Sequence, residues 1–156
     1  MAGSYFRKSR NIELSTVYYI RTQIDASWTN VTTVKSFKNA YDEDLPVVCV
    51  RLNDTLFNRK EIGATTLENR YGIIIDIFAT SDGQRLDLAD FIENEIKGSW
   101  TYYTHSQSGG TLTRTDDSTK VVLQEITQNS KVEISDNPEK QDRFRHIISF
   151  IVRQND

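Results

Sequence analysis

The chain has 156 residues, a formal net charge of −3 and 37% hydrophobic residues. This length fits one domain, since single domains run to about 100–200 residues, and the composition excludes a disordered chain. The near balance of 19 basic and 22 acidic side chains argues against a dedicated DNA-binding domain, which needs clustered positive charge to neutralise phosphates. We expect a single domain over residues 1–156.

Cysteine usage and hydropathy indicate where the protein works. Cys49 is the only cysteine, so an intramolecular disulfide and a zinc site of the CxxC type are both excluded. The basic N-terminus is not followed by an apolar run, which argues against a secretory signal. No window is apolar over the ~20 residues that a membrane helix needs. We expect a protein of a reducing, aqueous compartment without a membrane partner.

The first part of the chain predicts a helix and then an edge strand. Residues 1–10 are polar and basic, and we expect a flexible arm there, ahead of an α+β core over residues 11–153. Asn11 is a good helix N-cap. Residues 31–35 are rich in β-branched side chains and suit an edge strand. Apolar residues spaced by three and four predict the buried side of the helix: Leu14, Val17, Ile20 and Ile24.

The middle of the chain contains the strongest strand signal. Residues 47–52 predict a buried strand, and a polar stretch over residues 53–66 separates it from residues 71–79. Both faces of residues 71–79 are apolar, as is typical of a central strand covered on both sides. A second helix follows, with Asp82 as N-cap and Gly98 as the stop. The predicted buried side of this helix consists of Leu88, Phe91, Ile92 and Ile96.

The last third predicts mostly strands. Short β segments fill residues 100–134, around a turn at Gly109 and Gly110. Residues 144–152 form a long terminal strand that we expect to pair antiparallel with the central one. We predict an α+β fold with a single mixed, mostly antiparallel sheet, backed by two main helices and carrying a β-hairpin or long loop insertion.

Few residues are candidates for chemistry. Cys49 lies in a run of valines, where a cysteine behaves as a small buried hydrophobe rather than a nucleophile. His146 alternates with apolar residues, so we expect a hydrogen-bonded histidine near the sheet edge, whereas His105 lies among serine, glutamine and glycine and should be solvated. Two histidines in separate segments make a weak zinc site. We expect no metal and no cofactor.

Acidic residues offer two further sites. Asp42, Glu43 and Asp44 have carboxylates that suit a hard cation, but a calcium loop needs a glycine and a terminal glutamate that are missing, so a solvated turn is favoured. Asp76 interrupts an apolar strand, where a carboxylate is costly unless it is paired. Either the carboxylate points to the sheet margin or an arginine pairs with it, for which Arg145 on the neighbouring strand is a candidate, and we favour structural pairing over catalysis. No phosphate loop and no serine nucleophile elbow is present, so we predict no catalytic residues and no enzyme.

The order of these elements resembles the tail terminator (tail completion) proteins of long-tailed bacteriophages. The similarity consists of an opening helix over residues 13–26, a proline-led strand over residues 45–50, a polar loop containing Glu61-Ile62-Gly63, an apolar strand running into a capped helix over residues 71–92, and the terminal strand over residues 143–153. It covers residues 11–153, although residues 99–138 add little to it. The resemblance lies in the arrangement rather than in an invariant motif.

The resemblance implies an architectural role in the virion. Such proteins form a ring, commonly a hexamer, that ends polymerisation of the tail tube at its head-proximal end and joins the tail to the head or neck. The implied partners are further copies of the chain, the tail tube protein and head or neck connector proteins, with assembly in the host cytoplasm and no small-molecule substrate. Genomic DNA passes only through the lumen, where a basic lining would hold its phosphates.

Two groups of residues are candidates for subunit or partner contacts. The charged residues of the polar excursion are the first group, with a solvated loop as the equal alternative: Arg59, Lys60, Glu61, Glu68 and Arg70. Trp100, Tyr102 and Tyr103 form an aromatic cluster that would anchor a partner or cover the sheet.

Other functions stay open at this point. They are a head-closure or other neck or connector ring protein, and a small non-viral α+β binding or regulatory module.

Overall fold

A computed structural model describes residues 4–59, 67–132 and 143–155. It has a single seven-stranded sheet in the order β1-β5-β6-β7-β4-β3-β2, curled as a half-barrel, together with three helices. The elements are β1 (Ser4–Tyr5), α1 (Lys8–Ser27), β2 (Thr32–Val34), α2 (Phe37–Asp42), β3 (Val47–Arg59), β4 (Leu67–Phe78), α3 (Asp82–Lys97), β5 (Trp100–Ser108), β6 (Thr111–Lys131) and β7 (Arg145–Asn155). The predicted α+β class is confirmed.

The sheet is mixed and mostly antiparallel, as predicted. Only β2 pairs parallel, with β3, and the other five pairings are antiparallel. The strand β4 lies between β3 and β7, so the prediction of a central strand paired with the terminal strand is confirmed. Ile75 illustrates the register, because it faces Val50 on β3 and Ile148 on β7.

The two faces of the sheet are covered unequally. We call the face toward α1 and α3 the inner face; it carries the main core, in which Ile73, Ile75 and Ile77 of β4 alternate with outward-pointing residues. The opposite, outer face carries a small second core of Ala40, Val47, Cys49 and Phe78 beneath α2. Strand residues alternate between faces with a period of two, so β4 supplies both cores.

The N-terminal segment differs from the sequence prediction. The expected flexible arm over residues 1–10 has to be corrected for residues 4–10: β1 pairs with β5, and α1 already begins at Lys8. Asn11 is therefore not the cap but a buried residue inside the helix, where its Nδ2 donates to the Phe6 carbonyl at 3.1 Å. Its Oδ1 accepts from the His105 N–H at 3.0 Å, so a bond to β5 takes the place of the local capping bond that the sequence favoured.

Helix α3 follows the prediction within one residue. Its N-cap is Ser81, whose hydroxyl accepts from the Gln84 N–H at 3.2 Å, and Asp82 is the first helical residue instead of the cap. Gly98 is the C-cap, as predicted, and Leu88, Ile92 and Ile96 are buried on the inner face. The negative charge of Asp82 in the first turn complements the positive end of the helix.

Two strands are longer than the sequence indicated. The polar stretch over residues 53–66 was expected to be a loop, but β3 continues to Arg59 and pairs with β4 from Leu67 onward. The predicted short segments after residue 110 form a single strand, β6, which follows the predicted turn at Gly109 and Gly110. Both strands gain cross-strand backbone bonds that outweigh the weak strand propensity of their polar residues. The sequence also missed the short helix α2.

The central position of β4 leads to the first prediction. Changing Ile75 to Asp should unfold the domain, because it places an unpaired charge at a fully buried position between two strands. Ile75→Val, which only removes a methylene, should cost about 1 kcal/mol. Circular dichroism and urea denaturation of both variants measure this, and a folded Ile75→Asp protein would contradict the sheet assignment.

Candidate functional site

Cys49 is buried, as predicted. It lies on the outer face of β3 in the small core with Phe78, and its side chain is fully shielded from solvent. Burial raises the pKa of the Cys49 thiol to about 11, and the carboxylate of Asp76 adds to this shift. A nucleophilic cysteine needs the opposite, a lowered pKa in an accessible setting.

His105 is buried rather than solvated, which corrects the sequence prediction. It lies on β5 with 1% exposure, and its Nδ1 donates to the Asn11 Oδ1 at 3.0 Å. The ring of Phe6 stacks on it, with centroids 6.3 Å apart. Burial lowers the pKa of His105, with a further contribution from the positive charge of Arg114. The polar neighbours in the sequence suggested a loop, but β1 and α1 cover this part of β5.

His146 is hydrogen-bonded, as predicted, but it lies on the interior strand β7 instead of near the sheet edge. An Arg85 guanidinium nitrogen lies 2.6 Å from its Nδ1, and the Nε2 lies against the Oδ1 of Asn129. An arginine can only donate, so Nδ1 accepts and the proton is on Nε2. Burial lowers the pKa of His146, and the adjacent charge of Arg85 lowers it further.

Asp76 and Arg145 form the predicted ion pair on the outer face. An Arg145 Nη2 donates to the Asp76 Oδ1 at 3.0 Å, and the Asp76 side chain has no exposed surface. The sequence missed a second partner, Arg51, whose Nε lies 3.5 Å from the Asp76 Oδ2. The alternation of side chains along a strand could have revealed this partner, because Arg51 is two residues after Cys49 and therefore points to the same face. Both guanidiniums lie over the ring of Phe37, at 4.3 and 5.1 Å.

A metal centre has no support in the geometry. Across the described part of the chain, no three histidine, cysteine or carboxylate side chains come together as ligands. Asp42 ends α2 and Glu43 is its C-cap, so the acidic residues belong to a helix terminus rather than to an isolated turn. Among the described helices, none has the length and apolarity to span a membrane.

The aromatic candidates turn out to be mainly core residues. Trp100 and Tyr102 are 2% and 4% exposed on the inner face of β5, so the expectation that they anchor a partner is corrected: they cover the sheet beneath α1. The Trp100 indole donates to the Thr16 hydroxyl at 3.2 Å. Only Tyr103 remains half-buried, and its ring meets that of Tyr18 edge-on at 5.6 Å.

The charged candidates lie partly outside the described residues. Lys60 and Glu61 belong to the segment that is not described, and of Arg59 and Glu68 only the backbone is described, at the far end of the β3–β4 pairing. Arg70 is half-buried on β4 and lines a shallow surface depression with Arg153 and Gln124. The described residues leave these contact predictions open.

An open area on the outer face is a surface feature that the sequence did not predict. Ile74, Ile147 and Ile151 are half-buried there, and a depression of about 420 Å³ is lined by Ile74 and Ile151 together with Asn53, Gln128 and Ser149. The only described helix on this face, α2, packs over the other end of β3 and β4. The alternation of side chains along β7 could have predicted this area, because every second residue of the strand points away from the main core.

A second surface feature is a cleft between α1 and β5. It has a volume of about 240 Å³ and is lined by Tyr18, Tyr19, Thr22, Gln23, Thr101 and Tyr103; we call it the tyrosine cleft. The ring of Tyr19 stacks on Trp100 at 5.1 Å, and its hydroxyl donates to the Glu95 carbonyl at 2.9 Å. Burial, followed by the bond to Glu95, raises the pKa of Tyr19 to about 12. The ring therefore has a fixed position.

Comparison with known proteins gives no match: no family model matches the chain, and no curated protein matches it at a significant level.

The two buried histidines predict a pH dependence of stability. Their pKa values are lowered in the folded state, so the unfolded chain binds more protons below about pH 6.5, the ordinary pKa of histidine. The free energy of unfolding should therefore fall as the pH drops below this value, by at most about 1.4 kcal/mol per pH unit for each histidine. Urea denaturation between pH 5.5 and 7.5 measures the slope. His146→Gln should reduce it, and an unchanged slope would contradict the assigned neutral state.

The ion pair of Asp76 predicts a large effect of removing its charge. Asp76→Asn should lower the free energy of unfolding by about 3–5 kcal/mol, because it removes the charge of a fully buried carboxylate that Arg51 and Arg145 share. The control Glu93→Gln breaks an exposed pair with Lys97 and should cost less than about 1 kcal/mol. Equal losses in urea denaturation would mean that the Asp76 pair is no stronger than a surface pair.

Proposed function

We propose that this chain is a structural subunit of a tailed bacteriophage virion, which forms a ring at the head-proximal end of the tail tube. In this role the ring, a hexamer, ends tube polymerisation and joins the tail to head or neck proteins. The resemblance in the order of the elements supports the proposal. The elements that carry it follow one another along the chain in the predicted order: the opening helix α1, the strand β3, the strand β4 running into α3, and the terminal strand β7.

The observation that carries the proposal is the open area of the outer face. A sheet normally buries its apolar face against another layer, yet Ile74, Ile147 and Ile151 are only half-buried at the centre of this one. Half-buried isoleucines beside Gln128 and Ser149 form a mixed surface of the kind found in protein interfaces. The surface suits contact with another protein subunit, and the depression is too open and polar to favour a small apolar ligand.

The charges of the outer face fit a virion role as well. Arg51 and Arg145 share the carboxylate of Asp76, which offsets one of their two positive charges. Together with the net charge of −3, this limits the electrostatic attraction for phosphates. A ring through which DNA moves needs a wall that does not retain it.

The mass of the protein in solution tests the proposal. Light scattering of the wild-type chain, alone and mixed with the tail tube protein of the same phage, should give closed rings that negative-stain images reveal as single annular particles or as caps on tubes. A chain that stays monomeric or dimeric under both conditions would contradict the proposal and favour a small binding module.

A variant pair links the assembly to the open area. Ile151→Gln should weaken binding to tubes or neighbouring subunits by about tenfold, since an interface loses an apolar contact worth more than about 1 kcal/mol. Leu112→Gln is the control, because Leu112 is 48% exposed on the β5–β6 hairpin, away from that face. Thermal melts establish that both variants fold. Equal binding by both would remove the outer face from the contact.

A further inference from the structure

The rim of the tyrosine cleft carries two cations, Arg114 and Lys120, on the side of β6, while the carboxylates of Glu95 and Asp116 lie beside Tyr19 and opposite Tyr103. The guanidinium of Arg114 lies over the ring of Tyr18, with its Cζ 3.7 Å from the centroid, and also 5.6 Å from that of Tyr103. Lys120 reaches Thr101 on the other side, its Nζ 3.4 Å from the hydroxyl oxygen. Both cations are on exposed residues of β6. The cleft therefore combines tyrosine rings with an arginine, two residue types that often dominate the binding energy of protein interfaces, and with one lysine.

A surface with complementary properties is present elsewhere on the same chain. Leu86 on α3 is 46% exposed, and the exposed carboxylates of Asp87 and Asp90 lie next to it and one turn after it. Residues four apart lie on the same side of a helix, so Leu86 and Asp90 form one stripe. Arg85 does not offset this charge at the surface, because it is buried and bonded to His146 and Asp82.

We propose that the tyrosine cleft of one subunit binds the Leu86 stripe of α3 from a second copy of the chain. The Leu86 side chain enters between the tyrosines, while Asp87 and Asp90 meet Arg114 and Lys120. The cleft, at about 240 Å³, has room for one branched aliphatic side chain.

The other exposed hydrophobic residues fit this cleft less well. Large apolar side chains with high exposure in the described chain are Tyr41, Leu86 and Leu112. The ring of Tyr41 already packs edge-on against Phe78 at 5.5 Å. Leu112 lies two residues from Arg114 on β6, so its entry into the cleft of another copy would bring two Arg114 side chains together. Of the three, Leu86 has the exposed carboxylates Asp87 and Asp90 next to it, which can meet Arg114 and Lys120.

The geometry of this contact is head-to-tail. The cleft lies between α1 and β5, and the stripe lies on α3, so the two surfaces are different and each subunit presents both. Heterologous contacts of this kind build rings when the rotation closes. The inference rests on the proposed function in that it assigns the contact between neighbouring subunits of the proposed ring.

The first test compares two leucines of equal exposure. Leu86→Gln should weaken self-association by about tenfold or more, as expected for an interface anchor, while Leu112→Gln should leave it unchanged. Sedimentation velocity over a concentration series measures both, with thermal melts to establish folding. Equal behaviour of the two variants would overturn the assignment of Leu86.

The second test exchanges the charges. Arg114→Glu places a carboxylate against Asp90, and Asp90→Arg places a guanidinium against Arg114, so each variant alone should lose association by about tenfold. In a mixture, the two variants can alternate around the ring. Every second contact then joins Glu at position 114 of one variant to Arg at position 90 of the other, and the remaining contacts keep the native pair of Arg114 and Asp90, so association should return. A mixture that stays dissociated, or single variants that associate like the wild type, would overturn the contact.

These outcomes separate the inference from the proposed function. Rings that form equally well with Leu86→Gln and with Arg114→Glu would overturn the cleft contact and leave the ring proposal standing. A wild-type chain that does not associate, alone or with tail tube protein, would overturn both.

Discussion

The structure depends on the burial of β4 on both of its faces. Ile73, Ile75 and Ile77 point into the core beneath α1 and α3, while Asp76 and Phe78 point into the smaller core beneath α2. A strand buried on both sides must have neighbours on both edges to satisfy its backbone, and β3 and β7 provide them. The positions of both helix layers follow from this arrangement. The open area is the part of the outer face that α2 does not cover.

Buried polar groups connect the layers that the hydrophobic core alone would leave adjustable. Asn11 on α1 bonds His105 on β5 and Arg85 on α3 bonds His146 on β7, so each of these bonds joins a helix to the sheet, while Asp76 on β4 and Arg145 on β7 join two neighbouring strands. Each link is made between elements far apart in the sequence, and a buried polar group without its partner is costly. Such bonds favour a single arrangement of helices on the sheet.

The surface divides into regions with different chemistry. The outer face offers half-buried isoleucines beside amides and hydroxyls, the tyrosine cleft offers rings beneath cations, and α3 offers a leucine among carboxylates. The proposed ring would use two different patches in each head-to-tail contact, and these surfaces are the candidates for them. Deeply buried Cys49 and the paired histidines serve the fold in this arrangement.

The sequence by itself determined the elements whose signal is local or periodic. The apolar run of β4, the stripe of α3 with its stop at Gly98, the hairpin turn at Gly109 and Gly110, and the pairing of Asp76 with Arg145 all followed from spacing and from the cost of an unpaired charge.

Tertiary structure decided the rest. His105 is buried only because β1 and α1 meet over it, Trp100 and Tyr102 became core because α1 packs on β5, and β3 runs on through polar residues because β4 pairs with them. Those outcomes depend on contacts between segments that are distant in the sequence, and the local sequence pattern does not predict such contacts.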